Sequence, residues 1–110
     1  MEKQIFINIY ERVALITVRN NGKPTFNKQA SILMQLGNKS YFKVAKGKGT
    51  NCIYLFPVDE IRGTLRLSKF GNYYGFNNIA LFRRLGFQRG NKYTVTTAIY
   101  KGETIYKVSL

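Results

Sequence analysis

Histidine is missing from this chain of 110 residues, cysteine occurs once, proline twice, and acidic side chains number only five. Without histidine there is no side chain whose ordinary pKa suits proton transfer near neutral pH. Asp59 and Glu60 are the one adjacent pair of carboxylates. Neighbouring side chains in a linker diverge, so these two read as solvated loop acids and not as a catalytic dyad. No cluster has metal-ligand spacing. The expectation is a protein with no enzymatic activity, no cofactor and no metal. A lone Cys52 excludes an internal disulfide, suits a reducing compartment, and is expected to sit in a strand as a small core residue. Long apolar runs are lacking too. The run at residues 5–9 is broken by Asn8 and followed by Glu11 and Arg12, which makes it too short and too polar for a signal sequence. No run approaches membrane-spanning length. A cytoplasmic location is expected, or a host cytoplasm for a chain of viral origin, with no membrane partner.

What is present describes a folded chain. Hydrophobic residues make up 45% of the sequence, enough for a packed core and too many for a disordered tail. The length fits a single domain over residues 1–110, or two half-size units sharing one core. Tyr, Phe, Ile and Val tilt the chain toward strands.

Charge is the strongest global signal, with 18 lysines and arginines giving a formal net charge of +13. The acids are Glu2, Glu11, Asp59, Glu60 and Glu103, so residues 12–58 and 61–102 contain none. The first window holds Arg12, Arg19, Lys23, Lys28, Lys39, Lys43, Lys46 and Lys48; the second holds Arg62, Arg66, Lys69, Arg83, Arg84, Arg89, Lys92 and Lys101. Like charges without internal partners repel, and a polyanionic partner explains such a surface best. Nucleic acid comes first among these, ahead of an anionic membrane surface or a merely soluble basic protein.

One stretch occurs twice. Phe26-Asn27-Lys28-Gln29-Ala30-Ser31-Ile32-Leu33-Met34-Gln35-Leu36-Gly37 and Phe76-Asn77-Asn78-Ile79-Ala80-Leu81-Phe82-Arg83-Arg84-Leu85-Gly86 share Phe-Asn, an Ala three residues after the Asn, and an apolar run closing on Leu-Gly. The copies lie about 50 positions apart, a period that indicates internal duplication. Val44 and Val95 end similar basic, aromatic stretches, and Ile53-Tyr54 and Ile105-Tyr106 open the next apolar runs. The pseudo-repeats span approximately 13–58 and 64–110.

Read in order, residues 4–18 alternate: Ile5, Ile7 and Ile9 share one face, then Ala14, Ile16 and Val18 share a face after a bend at Glu11-Arg12. Asn20-Asn21-Gly22-Lys23-Pro24 is turn chemistry. The first helix is expected to begin at Asn27 as N-cap and stop at Gly37, burying Ala30, Leu33 and Met34. Residues 41–45 and 52–58 read as strands around a basic loop whose Lys46 and Lys48 could touch phosphates, although the spacing of a complete phosphate loop is absent. Residues 64–68 read as a strand with Leu65 and Leu67 inward and Arg66 outward. Asn77 is expected to cap a second helix with Ile79, Phe82 and Leu85 inward and Arg83 and Arg84 exposed. Residues 93–100 and 104–110 close the chain as a hairpin around Lys101-Gly102-Glu103.

Each unit thus reads strand, turn, short helix, Leu-Gly, basic turn, strand, hairpin, strand. This resembles the AbrB/MazE-like swapped-hairpin family. Leu85-Gly86-Phe87-Gln88-Arg89-Gly90-Asn91-Lys92-Tyr93-Thr94-Val95 is the best local match, and Thr25-Phe26-Asn27-Lys28 stands where the family has Thr-Ile-Pro-Lys. The resemblance implies an α+β fold, mainly β with two short helices, in which duplicated strand-helix-hairpin units form one AbrB-like barrel. A single chain could build it in an MraZ-type arrangement, as a monomer with pseudo-two-fold symmetry; the alternative is a homodimer exchanging hairpins. The chain stops at Leu110 in a strand, without the acidic tail of MazE-type antitoxins, so antitoxin activity is not expected.

The family's mode of action implies that the turn before each helix meets duplex DNA, which implicates Arg19, Lys23 and Lys28 in the first copy and Arg66 and Lys69 in the second. The favoured function is a small transcriptional-regulator-like protein contacting phosphates through Lys and Arg. A second possibility is a single-stranded DNA or RNA platform built from Phe70, Tyr73, Tyr74 and Phe76 with Lys69, Arg83 and Arg84. Core packing competes for Phe70 and Phe76. A third is a virion or assembly protein coating nucleic acid.

Overall fold

In a computed structural model, which describes residues 13–37, 40–59 and 61–110, the chain is mainly β with two short helices. The expected strand face of Ile5, Ile7 and Ile9 lies outside the described residues. β1 (Leu15–Val18) buries Ile16 and Val18 and leaves Leu15 and Thr17 half-buried. That alternation marks a sheet with one face on the core. β2 (Pro24–Phe26) runs antiparallel to β1 and is buried throughout. After helix α1 (Lys28–Leu33), β3 (Tyr41–Lys46) and β4 (Cys52–Val58) form a hairpin in register Val44↔Leu55. The second half follows with β5 (Leu65–Arg66), β6 (Ser68–Phe70), β7 (Tyr73–Gly75), helix α2 (Ile79–Arg84), and the long hairpin of β8 (Lys92–Tyr100) and β9 (Glu103–Ser109).

The nine strands form one antiparallel sheet in the order β5-β3-β4-β9-β8-β1-β2-β7-β6. β5 and β6 stand at opposite ends of that order, yet only Leu67 separates them in the chain. One segment therefore borders both edges, and the sheet is a nearly closed barrel. The expected strand over residues 64–68 is broken at Leu67, whose N–H turns to the Ser40 carbonyl at 2.7 Å. Leu67 is buried, Leu65 half-buried and Arg66 exposed. Pairing crosses the halves of the chain. β1 lies beside β8, with Ile16 opposite Tyr93, and β5 lies beside β3, with Leu65 opposite Phe42.

Aromatic rings fill the interior. Phe76 is fully buried and meets Phe26 at 5.6 Å, Phe42 at 5.8 Å and Phe82 at 5.5 Å between ring centroids. Phe82 continues to Phe87 at 5.1 Å, and Phe87 to Tyr93 at 4.9 Å. Mostly edge-on contacts at these separations add to what burial alone contributes. Cys52, expected in the core, is only half-buried at the start of β4. Burial raises the Tyr106 pKa above its ordinary 10.0. Among the described residues no helix is long and apolar enough to cross a membrane.

The helix ends depart from expectation by one or two residues. Asn27 caps α1, accepting from the Ala30 N–H at 2.8 Å. It also accepts from the Leu15 N–H at 3.0 Å and donates to the Val13 carbonyl at 2.8 Å, clasping β1 to the helix start. The second helix is capped by Asn78 and not by Asn77: Asn78 Oδ1 accepts from the Leu81 N–H at 3.1 Å. Two adjacent asparagines compete there, where the start of α1 offers Asn27 followed by Lys28. Helix α1 stops at Gln35, earlier than Gly37. Gln35 adopts φ 51°, with its N–H on the Ile32 carbonyl and the Leu36 N–H on the Ser31 carbonyl. This is a Schellman end. α2 ends the same way, with Gly86 at φ 107° in the left-handed position. The shorter α1 buries Ala30 and Met34, while Leu33 is exposed; α2 buries Phe82 and half-buries Ile79 and Leu85.

Asn27→Ala, which removes a cap and two ties to β1, is expected to cost about 3 kcal/mol in urea denaturation, against about 1 kcal/mol for Asn78→Ala. Equal losses would show that the clasp on β1 contributes nothing. Because the folded state favours neutral Tyr106, the stability it retains is whole below pH 10.0 and falls as pH rises through the raised pKa. Tyr106→Phe should flatten that alkaline decline.

Candidate nucleic-acid interface

Two turns meet because β2 and β7 pair at Thr25↔Gly75. A Cβ at Gly75 would collide with the Pro24 carbonyl oxygen and lie 3.2 Å from the Phe70 ring, so only glycine permits this approach. The β1–β2 turn is closed by the Arg19 N–H on the Lys23 carbonyl at 3.0 Å and the Gly22 N–H on the Arg19 carbonyl at 2.8 Å. Asn21 Oδ1 accepts from the Lys23 N–H at 2.9 Å. Arg19 and Lys23 consequently face each other across the base of the turn. The β6–β7 turn consists of Gly71 and Asn72 between paired Phe70 and Tyr73.

Cations of one turn lie over rings of the other. Arg19 Cζ is 5.1 Å from the Tyr73 ring centroid and Lys23 Nζ is 4.9 Å from that of Phe70. Lys69 Nζ stands 5.7 Å over Tyr74. Arg19 is further held by its Nε, which donates to Thr25 Oγ1 at 3.4 Å, while that hydroxyl donates to the Thr17 carbonyl at 3.3 Å. A groove of about 420 Å³ runs between the turns, lined by Arg19, Asn21, Lys23, Thr25, Phe70, Gly71, Asn72 and Tyr73. A neighbouring one of about 400 Å³ is lined by Lys28, Ser31, Asn72, Tyr73 and Tyr74. The acids among the described residues, Asp59 and Glu103, stand at the end of β4 and the start of β9, away from the β1-β2-β7-β6 face.

The structure thus brings together Arg19, Lys23, Lys28, Tyr73 and Tyr74 from the sequence-derived set, while Lys69 lies over Tyr74 and lines the groove of Arg66. It does not bring in the others. Lys46 and Lys48 line a separate concavity at the tip of the β3–β4 hairpin. Arg66 is exposed and shares a different groove with Lys69, Phe76, Asn77 and Asn78. Arg83 and Arg84 occupy the last turn of α2, where their charge suits the helix C-terminus. Of the proposed stacking rings, Phe76 is core, Phe70 is half-buried under Lys23, and Tyr74 is half-buried with its hydroxyl against Gly37. Tyr73 is 45% exposed. One ring named in the sequence reading as a stacking surface has another role, and one residue escaped that reading of the site. Phe70 serves as a seat for Lys23. Arg89 reaches the first turn, its Nε 3.7 Å from where a Cβ of Gly22 would lie. The Gly90 N–H bonded to the Val18 carbonyl at 2.8 Å places it there, a contact that no local pattern announces.

Among the described residues no group of three or more His, Cys, Asp or Glu could hold a metal ion. No family model matches the chain, and no curated protein or solved structure is significantly similar to it.

Gly75→Ala should force β2 and β7 apart and cost about 1–3 kcal/mol by thermal or urea denaturation. A loss below about 0.5 kcal/mol, typical of a plain surface substitution, would mean that the approach is not tight.

Proposed function

We propose that this chain is a non-enzymatic nucleic-acid-binding protein that engages duplex DNA with the face formed by the β1–β2 and β6–β7 turns. The observation that carries this reading is that Arg19, Lys23 and Lys28 of the first half line two neighbouring grooves together with Tyr73 of the second, with no carboxylate among the described residues that line them. The excess of 18 basic over 5 acidic side chains supplies the long-range attraction to a polyanion. Lys23, Lys28 and Lys69 act as phosphate contacts, which supply affinity and position. Arg19 is the base-reading candidate: Nε is occupied by Thr25 and the guanidinium is oriented over Tyr73, leaving its two Nη groups for a bidentate acceptor such as guanine N7 and O6.

A duplex is favoured over single strands because the candidate stacking rings already carry cations. A base stacking on them would have to displace those cations. A regulator-like role in a cytoplasm, with the barrel nearly closed by one chain as a monomer, completes the proposal.

We also infer that the two halves are copies exchanging strands, the arrangement implied by the resemblance to AbrB/MazE-like proteins. Support comes from equivalent bonds in each half: Val18 N–H to the Asn91 carbonyl at 2.9 Å, and Leu67 N–H to the Ser40 carbonyl at 2.7 Å. Thr25 and Gly75, opposite each other in β2 and β7, occupy the same place in each copy. The copies differ where they meet the ligand, one turn giving cations and the other rings, so the binding mode is asymmetric.

Binding to duplex DNA, single-stranded DNA and structured RNA over a salt series tests the proposal. Duplex should bind best, and Arg19→Ala, Lys23→Ala or Lys69→Ala should each lower the slope of log K against log salt by about 1. Lys48→Ala, away from the face, should leave the slope nearly unchanged. Tighter binding to single strands that Tyr73→Ala with Tyr74→Ala removes would overturn the duplex reading, and no binding at low salt would overturn both.

A further inference from the structure

The β1–β2 turn has a neighbour on each flank. On one side lies the β6–β7 turn with Phe70 and Tyr73; on the other, reached through the pairing of β1 with β8, lies the turn at residues 88–91. That third turn is closed by the Asn91 N–H on the Gln88 carbonyl at 3.2 Å, with Gly90 at φ 80° in its third position, which makes it type II. Two bonds join it to β1, the Val18 N–H to the Asn91 carbonyl at 2.9 Å and the Gly90 N–H to the Val18 carbonyl at 2.8 Å. The core holds it as well. Tyr93 is buried against Phe87, and its hydroxyl accepts from the Gln88 N–H at 2.8 Å and from Asn91 Nδ2 at 3.4 Å. Arg89 stands exposed at the apex of this fixed turn, with its Nε beside Gly22 of the middle turn. Lys92 follows at the start of β8. Because Tyr93 faces the core, Lys92 faces outward, opposite Thr17 and on the same side of the sheet as Arg19. Of the described acids, Glu103 pairs with Tyr100 at the far end of β8, roughly 26 Å from Lys92 at about 3.3 Å per residue.

We propose that Arg89 and Lys92 contact the second phosphate backbone of a bound duplex, so that the β1–β2 turn enters the major groove with one strand on each side. This rests on the duplex-binding reading of the turn face and adds an orientation to it. A major groove is bordered by both backbones, and an element that reads base edges between them has phosphates on both flanks. Lys28 supplies a cation on the flank of β7, where it shares a groove with Asn72 and Tyr73. Arg89 and Lys92 supply cations on the flank of β8, and Arg19, the base-reading candidate, stands between the two flanks. The spacing agrees. From β8 across β1 and β2 to β7 is three strand intervals, about 14 Å at about 4.8 Å each, against roughly 12 Å for the width of the major groove and roughly 6 Å for the minor. The bonds to Val18 and to the Tyr93 hydroxyl fix the 88–91 turn in advance, so little backbone freedom is lost when Arg89 meets a phosphate.

Duplex and single-stranded DNA of equal length, titrated over a salt series, test this. Arg89→Gln and Lys92→Gln should each lower the slope of log K against log salt by about 1 for duplex and leave it unchanged for single strands, which lack the second backbone. Arg89→Lys keeps the charge and should keep the slope. A duplex slope unchanged by Arg89→Gln and Lys92→Gln, with Arg19→Ala still lowering it, overturns this proposal and leaves the turn face standing. An equal loss for duplex and single strands also overturns it, by showing cations that follow any backbone. So does a slope that falls in Arg89→Lys as far as in Arg89→Gln, the result expected if Arg89 only packs on Gly22. Absence of duplex binding at low salt overturns the reading of the face and this proposal together.

Discussion

The contact between β2 and β7 at Thr25 and Gly75 is the constraint on which the candidate interface depends. It joins the two halves along two short strands, each of three residues. Two short strands contribute little by ladder bonds alone. What holds them is the interior on the other side, where Phe26 and Phe76, one residue beyond the contact in each half, meet edge to face. The missing Cβ of Gly75 lets the backbones close, and the buried rings keep them closed. With β2 and β7 fixed, the turn ahead of each lands beside the other, and Arg19 comes to Tyr73 and Lys23 to Phe70 from more than 45 residues away in sequence.

The way these cations are held bears on their chemistry. A protein that must fix an arginine commonly sets a carboxylate beside it, and the ion pair then cancels the charge locally. Here the fixing groups are aromatic faces and a threonine hydroxyl. A ring contributes roughly 0.5–1 kcal/mol at an exposed site and takes away none of the positive charge. Cations ordered in this way lose less side-chain freedom on meeting an anion than unrestrained lysines would. Among the described residues, charge without a neighbouring carboxylate and ordered geometry are therefore combined on one face.

Legibility in the sequence followed the range of the determining contacts. The hairpins β3–β4 and β8–β9 were readable because alternation and Gly-containing tips lie within a few residues of each other. Asn27 as a cap was readable for the same reason. The break at Leu67 was not, since it is imposed by the distant Ser40 carbonyl. Nor was the end of α1, where Gln35 takes the left-handed conformation that glycine holds in α2. For the interface, the resemblance implied Arg19, Lys23 and Lys28 but also Arg66 and Lys69, and the basic loop suggested Lys46 and Lys48, which the fold carries elsewhere. Composition gives the number of cations on a surface. Only strand pairing across the halves decides which of them share a face, and Arg89 beside Gly22 depends on that pairing as well.

The same pairing explains why the two turns can differ without loss of the fold. Each turn lies at the end of its strand pair, outside the aromatic core, so packing constrains its side chains less than Phe26 and Phe76. A turn bearing Arg19 and Lys23 opposite an identical turn would bring four cations together with nothing between them, and the repulsion would work against closing β2 on β7. Phe70 and Tyr73 in the second turn remove that conflict by giving each cation a ring to lie on. The difference between the turns thus favours assembly of the face: the cations of one turn meet rings of the other in place of further cations.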